Sequence, residues 1–515
     1  MTVDGKLFEV LEKKFSERKW IWKAQNQRQF GFNSYNGADP NVPVAVVLDG
    51  LTVLYSAADN LIQLINRLEN ILIKVLQEPG VKHLCVAMDA DTPPPKDVNG
   101  KNLAGVVRTP FTVEQPRDPL AAWEAFYRVS VNPVDVSVAL ASLVNSTDPK
   151  SAYNMPLQRD FELQLSNRDY KAFISHMLCR GIFASLKVPD DVTFLVRGPG
   201  IDAQRTGCIT TVIPPGLAVK FWEADYFCTT YTNHFHETHR VVVLSEDGDT
   251  TLSLLMGQSQ RMSKRSNILS EVKFYNRVYH VRTWKSIYGS GTPAEQGIGP
   301  PKFVTYIDIQ NLWMSIQLYA LNLRRVSLHK FLWQPVVPSV VMVCLMLKND
   351  YVAGLPNIGP VTLFNAFEKF IQQTNMPLLA NTTSHTNLRL DFEQLIQLVI
   401  MCYRKRQSNL NVDYESVGEA LDNIRVAQKS NAECLTQDGI AVYFANIRWF
   451  MSYMIAAQTG QLPESGLETR DGLSVHGYAD LSVRGKDNLQ LLPFGRRDIK
   501  RPVAVNPLNL RINKP

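Results

Sequence analysis

The chain has 515 residues, 45% of them hydrophobic, with a formal net charge of +6. That is ample apolar material for a packed core, and more than one core of ordinary size needs. The mild positive charge is compatible with nucleic acid but does not demand it. The seven cysteines are scattered with no CxxC pair, so a disulfide framework is not expected and a reducing compartment, nucleus or cytoplasm, is. No stretch reaches 18 uninterrupted apolar residues, and Met1–Lys6 is no signal peptide, so no membrane partner is expected.

Residues 5–30 read as an amphipathic helix followed by an irregular stretch. The run Val42-Pro43-Val44-Ala45-Val46-Val47-Leu48 suits a buried parallel strand and ends at Asp49-Gly50. A helical pattern continues to about residue 77, and a second apolar run, Leu84 to Met88, ends at Asp89. This is a β-α-β unit of a parallel sheet. Residues 91–120 are rich in Pro, Gly and charge and read as a loop. Helices are expected over 120–180, and short strands and turns over 190–220. A helix at about 221–233 leads into the strand Arg240–Leu244, which ends at Ser245-Glu246-Asp247-Gly248-Asp249. Residues 257–300 are polar and basic and read as an insertion. An apolar helix over 337–347 runs into Lys348-Asn349-Asp350, and helices fill 361–460. The expected fold class is therefore α/β, a mainly parallel central sheet flanked by helices with a helical C-terminal part. Its divisions would be a core part at 1–257 carrying an insertion at about 91–205, a second insertion at 258–336, a second core part at 337–460, and a tail at 461–515.

Three of these strands end in carboxylates: Asp49, Asp89, and the pair Asp247 and Asp249. In an open α/β sheet, ligands bind beyond the carboxyl ends of the strands. Like charges gathered there repel unless a counter-cation is present. Hard cations such as Mg²⁺ take oxygen ligands, and two of them can assist phosphodiester hydrolysis. Any single aspartate at a strand end is more often a turn former or a helix N-cap. The convergence of several is what suggests a cation-binding domain.

Four ordered stretches resemble the flap-endonuclease family of structure-specific 5′ nucleases. They are Val47-Leu48-Asp49-Gly50; Ala87-Met88-Asp89 followed by Pro93-Pro94-Pro95-Lys96; Glu223-Ala224-Asp225 with Ser245-Glu246-Asp247-Gly248-Asp249; and Lys348-Asn349-Asp350-Tyr351 with Gly354-Leu355-Pro356-Asn357-Ile358-Gly359-Pro360. The match spans about 42–96, 221–257 and 341–370, roughly a quarter of the chain. The resemblance implies a 5′-nuclease core of the PIN-like kind with a helix–hairpin–helix element. It implies two Mg²⁺ ions, with Mn²⁺ as substitute, held by Asp49, Asp89, Glu223, Asp225, Asp247, Asp249 and Asp350. It also implies branched or nicked DNA as partner. Lys96 would neutralise the scissile phosphate from an arch, with Arg108 and then Lys101 as weaker candidates from the same loop. The amides around Gly354, Asn357 and Gly359 would face duplex phosphates, with K⁺ as a further ligand. The stretch from Glu223 to Gly257 also resembles the virion host shutoff branch, whose members cut RNA. Departures are plain: about 134 residues separate Asp89 from Glu223, about 101 separate Asp249 from Asp350, and Lys348-Asn349 stands where the family has Gly-Ser.

Other features carry weaker readings. His234, His236, Glu237 and His239 tempt a zinc reading, but the spacing is not H-E-x-x-H. Arg261, Lys264, Arg265, Lys273 and Arg277 could face nucleic acid or simply solvent. Arg496-Arg497 with Lys500-Arg501 could be a nuclear signal or a solvated tail. Gln490-Leu491-Leu492-Pro493-Phe494 lacks the full pattern for a sliding clamp. The functions in play are a DNA nuclease, an RNA endonuclease, and an inactive nucleic-acid-binding scaffold.

Overall fold

A computed structural model describes residues 5–24, 41–54, 58, 60–89, 168–218, 223–263, 277–284, 304–324, 336–347, 349, 354–373, 380–384, 387–390, 392–404, 417–430, 433–436 and scattered positions between 439 and 458. Its centre is a nine-stranded mixed sheet. The strands are β1 (Ile21–Ala24), β2 (Val44–Asp49), β3 (Val81–Ala87), β4 (Thr193–Gly198), β5 (Ile201–Thr206), β6 (Ile209–Thr211), β7 (Arg240–Leu244), β8 (Val278–Arg282) and β9 (Val304–Asp308). Their order across the sheet is β1-β9-β8-β7-β2-β3-β4-β5-β6. The five strands from β8 to β4 run parallel, while β9 and β5 join antiparallel at the two flanks.

The parallel strands are covered on both faces, as the apolar runs Val44–Leu48, Leu84–Ala87 and Val241–Leu244 require. Alternation along them divides the core in two. Ala45, Val47, Cys85, Ala87, Val241 and Val243 face one apolar cluster, and Val44, Val46, Leu48, Leu84, Val86, Val242 and Leu244 face the other. The second layer contains α2 (Leu51–Leu54), α3 (Leu61–Leu76) and α4 (Arg168–Ser185). In α3, Leu61, Leu64, Ile65, Leu68, Ile71, Leu72 and Val75 recur at helical spacing and are all buried, and Asn60 caps its start by accepting from Gln63 N at 3.0 Å. The first layer contains α5 (Ala224–Phe235), α6 (Gly248–Ser263), α7 (Ile309–Arg324), α8 (Val336–Leu345), α9 (Pro360–Gln373) and α10 (Phe392–Arg404). Every residue of α8 is buried, as its uniformly apolar sequence anticipates.

The elements expected at the two central strands, the helix before β7 and the apolar helix near 337 are present. Differences cluster where polar residues interrupt the pattern. The irregular stretch expected after the first helix, α1 (Gly5–Lys14), contains β1, which pairs with β9. Residues 168–205, placed within the first insertion from sequence, supply α4, β4 and β5 to the core. The second insertion likewise supplies β8, β9 and α7. These strands are short, and residues such as Arg197, His280 and Asp308 dilute their apolar runs although all three are buried. Within the expected helical part, β10 (Ala380–Ser384) and β11 (Asn387–Leu390) form a separate hairpin. Lys96, Lys101, Arg108, Lys348 and Asp350 lie outside the described residues, as do the stretch expected to form an arch and the expected tail.

Candidate metal centre

Strands β2, β3 and β4 follow one another in one direction across the sheet, and the chain then returns to place β7 on the other side of β2. The crevice beyond the carboxyl ends of β2 and β7 is therefore a topological switch point. Asp49 is the last residue of β2, opposite Ala87 of β3. Gly50 lets the two strand ends close: a Cβ there would lie 2.5 Å from Met88 Cε, and Gly50 N donates to Ala87 O at 2.8 Å. Asp89 follows two residues beyond β3 and accepts from Ala224 N at 3.1 Å through Oδ1. That bond brings in the N-terminus of α5, with Glu223 at its N-cap position and Asp225 in its first turn. Glu223 has extended backbone, and its side chain makes no capping bond to the helix. On the other side of Asp49, Ser245 Oγ donates to Asp49 Oδ2 at 3.2 Å. Asp247 and Asp249 follow at the start of α6.

The structure thus gathers Asp49, Asp89, Glu223, Asp225, Asp247 and Asp249 at one sheet edge, from three strand ends and two helix N-termini. Asp49, Asp89, Glu223 and Asp249 are buried, and Asp225 and Asp247 are partly exposed. The electrostatic consequence falls on Asp49. Burial, and then the charges of Asp89 and Asp247, raise its carboxyl to about 7 against bonds from Leu51 and Ser245 that act to lower it. The helix N-termini offset part of this repulsion, because their amides favour negative charge.

Turn and cap roles are present as well. Asp49 Oδ1 accepts from Leu51 N at 3.1 Å, Asp225 Oδ1 from Tyr226 N at 2.9 Å, and Asp247 Oδ1 from Asp249 N at 2.9 Å. Among the described residues, no group of three or more His, Cys, Asp or Glu is gathered closely enough to hold an ion. The donor set still fits a hard divalent cation in its chemistry: it consists of carboxylate oxygens, several buried, with a charge excess registered at Asp49.

Three supporting residues were not identified from sequence. Lys171, in the first turn of α4, donates to Asp89 Oδ2 at 2.8 Å. His280 on β8 is fully buried and lies 2.9 Å through Nε2 from Ser245 O and 2.6 Å through Nδ1 from Thr251 Oγ1. Burial, then the nearby Arg282 charge, lowers its pKa to about 3. A neutral ring that donates from Nε2 to the carbonyl and accepts the threonine hydroxyl at Nδ1 satisfies both contacts. Arg282, at the end of β8, donates to Glu246 O at 3.3 Å and stacks 4.5 Å from the Phe8 ring. The alternation in Val278-Tyr279-His280-Val281-Arg282 is the signal that could have revealed β8 and these two side chains. Lys171 left no such signal.

The hairpin candidate is formed by residues 354–359. Ile358 N donates to Leu355 O at 3.2 Å, with Pro356 and Asn357 between them and Asn357 at φ 58°. This is the type II pattern, which places Pro first and a left-handed residue second. Leu355 and Ile358 are buried, Tyr403 OH donates to Pro356 O at 2.8 Å, and Asn357 Nδ2 donates to Gln428 Oε1 at 3.2 Å. A Cβ added at Gly359 would meet nothing within 4 Å, so that backbone opens outward.

The other candidates fall elsewhere. His234 and His239 pack with His83 around Phe235, near the amino end of β3 and the far end of α5. His236 Nδ1 instead lies 2.7 Å from Asn233 O. Arg277 pairs at 3.1 Å with the wholly buried Asp308 and is an internal partner, while Arg261 donates to Gln258 at 2.8 Å. Lys264, Arg265 and Lys273 lie outside the described residues. No helix among the described residues is long and apolar enough to cross a membrane. Neither a family model nor a curated protein matches the chain.

Proposed function

We propose that this chain is a metal-dependent, structure-specific 5′ nuclease that hydrolyses phosphodiester bonds in branched or nicked DNA. The observation carrying this reading is the convergence of six acidic residues at the switch point of an α/β sheet. Asp49, Asp89, Glu223, Asp225, Asp247 and Asp249 come from segments spread over about 200 residues, and beside the local turn bonds that some of them make, four of the six are buried there. These residues, joined by Asp350, would hold two Mg²⁺ or Mn²⁺ ions. The chemistry such ions supply when bound is stabilisation of charge on the attacking and leaving oxygens of an in-line displacement. The carboxylates themselves orient and neutralise the cations, and the buried setting strengthens each such contact. The turn at Gly354, Asn357 and Gly359 would present backbone amides to duplex phosphates, with K⁺ as an additional ligand. Lys96, Arg108 and Lys101 would approach the strand from the loop after Asp89.

The test is cleavage of end-labelled DNA flap, DNA nick and structured RNA side by side, with Mg²⁺, with Mn²⁺ and with chelator. Metal-dependent cutting of the flap or nick supports the reading. Cutting confined to RNA would move the assignment to an endonuclease of the virion host shutoff type. Binding to all three without cutting would leave a scaffold.

A further inference from the structure

We propose that Lys171 is an exchangeable counter-ion of the acidic centre, displaced from Asp89 when a divalent cation binds and then turned toward the substrate phosphate. The proposal rests on the nuclease reading above. It starts from the 2.8 Å contact between Lys171 Nζ and Asp89 Oδ2, in which the side chains are 22% and 12% exposed. The other oxygen of Asp89 accepts from Ala224 N at 3.1 Å. Both oxygens of this carboxylate are therefore engaged. One partner is a backbone amide fixed by α5, and the other is an ammonium on a four-carbon stem.

A cation approaching Asp89 can gain an oxygen most readily where the bond is carried by the mobile partner. A divalent ion and an ammonium at the same oxygen repel strongly in a poorly hydrated cleft. The ammonium gives way because its stem rotates while the amide cannot. The base of that stem stays fixed. Phe173, Ile174 and Met177 of the same helix are buried in the cluster that holds α3 and β4. The displaced charge thus remains within one side-chain length of the centre. Arg282 could not exchange in this way, since its guanidinium is held between the Phe8 ring and Glu246 O. Lys171 would reach the strand from a folded helix, unlike Lys96 from its proline-rich loop, so pairing with Asp89 also keeps the like charges of Asp49 and Asp89 from acting alone before the metal arrives.

The experiment uses the full chain with Lys171→Met, which keeps the stem, and Lys171→Arg, which keeps the charge. Thermal melting is titrated with Mg²⁺ in the absence of nucleic acid, and single-turnover flap cleavage is then measured at saturating Mg²⁺. Lys171→Met should reach half of its metal-induced stabilisation at about tenfold lower Mg²⁺ than the unsubstituted chain, because a competing cation is gone. It should cut about 10²-fold more slowly, while Lys171→Arg stays near the unsubstituted chain in both respects. Lys171→Gln carries the same expectations as Lys171→Met should the latter fail to fold. An unchanged Mg²⁺ requirement for Lys171→Met would overturn the proposal and make the pair a static structural one. The nuclease reading fails differently: the unsubstituted chain would show neither Mg²⁺ stabilisation nor cleavage.

Discussion

Ser245 Oγ donates to Asp49 Oδ2 at 3.2 Å, and this bond joins the ends of the two strands between which the sheet reverses its winding. The same hydroxyl oxygen accepts from Asp247 N at 3.1 Å and from Thr250 Oγ1 at 3.2 Å. One small side chain thus sets the distance between the carboxylate of β2 and the acidic turn after β7. His280 fixes the carbonyl of the same residue from the neighbouring strand.

Ser245→Ala should therefore loosen the turn without emptying the core. It strips a donor from buried Asp49 and an acceptor from the Asp247 amide, worth about 1–3 kcal/mol for groups left unsatisfied. Urea denaturation in metal-free buffer measures this. A loss below about 0.5 kcal/mol, the ordinary effect of a neutral surface change, would show that water replaces the hydroxyl.

Two buried aspartates at opposite edges of the sheet, Asp308 and Asp249, should behave in opposite ways. Asp308 ends β9, which runs antiparallel to β8, so it lies at the edge away from Asp49. There it accepts from Asn311 N at 2.9 Å and pairs with Arg277. Asp308→Asn should cost about 3 kcal/mol of stability by leaving Arg277 uncompensated, yet spare cleavage per folded molecule. Asp249→Asn removes charge from a repulsive cluster, so the metal-free protein should keep its melting temperature or gain slightly. Cleavage should fall at least about 10²-fold, as for loss of one group stabilising transition-state charge. Melting and cleavage of both variants decide the matter, and equal behaviour of the two would remove the distinction between the edges.

The sequence made the acidic edge legible because short apolar runs led into acidic residues, at Asp49, Asp89 and Glu246-Asp247, and that pattern is visible without knowledge of tertiary contacts. The strand–helix–strand start at Val44–Ala87 and the helix before β7 followed from periodicity alone. What stayed hidden depends on partners distant in sequence. Lys171 meets a carboxylate 82 positions away, and nothing about a lysine in a helix announces that. Arg277 looked like a surface cation in a basic stretch, but the antiparallel return of β9 brings Asp308 to it. Gly257 was read as part of a motif. Its structural demand is packing, since a Cβ there would lie 2.2 Å from Gln458 Oε1.

The histidine cluster predicts a loss of stability in acid. His83 lies with His234 and His239 around Phe235. Burial, then the charges of His239 and His234, lowers its pKa from 6.5 to about 4, and burial lowers both neighbours too. The unfolded chain binds these protons more readily. Their stabilising contribution is thus complete above about pH 6.5 and is lost as pH falls toward 4. Asp49 acts in the opposite sense, because its raised pKa adds stability as pH falls from 7. The reading to take is therefore a difference. His83→Leu should gain stability relative to the unsubstituted chain as pH is lowered from 6.5 to 4.5, followed by urea midpoints. A constant difference across that range would exclude His83 as a contributor.

The turn at Asn357 allows backbone and side-chain roles in nucleic-acid binding to be separated. Asn357 sits at φ 58°, where residues without a local polar side chain pay about 1–2 kcal/mol. Glycine adopts that geometry without steric cost. Asn357→Gly should therefore keep the turn, losing only the exposed bond to Gln428. Asn357→Val should be destabilised by about 1–3 kcal/mol and distort the turn, since a β-branched residue resists this region. If the amides around Gly359 grip duplex phosphates, the two variants diverge in binding as well. The glycine variant should hold duplex DNA with unchanged affinity and unchanged salt dependence, because no charged contact is lost. The valine variant should bind several-fold more weakly while the acidic edge still gains thermal stability from Mg²⁺. Fluorescence anisotropy with a nicked duplex in chelator, repeated at two salt concentrations, reads both. A glycine variant that binds as poorly as the valine variant would assign the contact to the Asn357 side chain. Equal, undiminished binding by both would place the duplex elsewhere on the molecule.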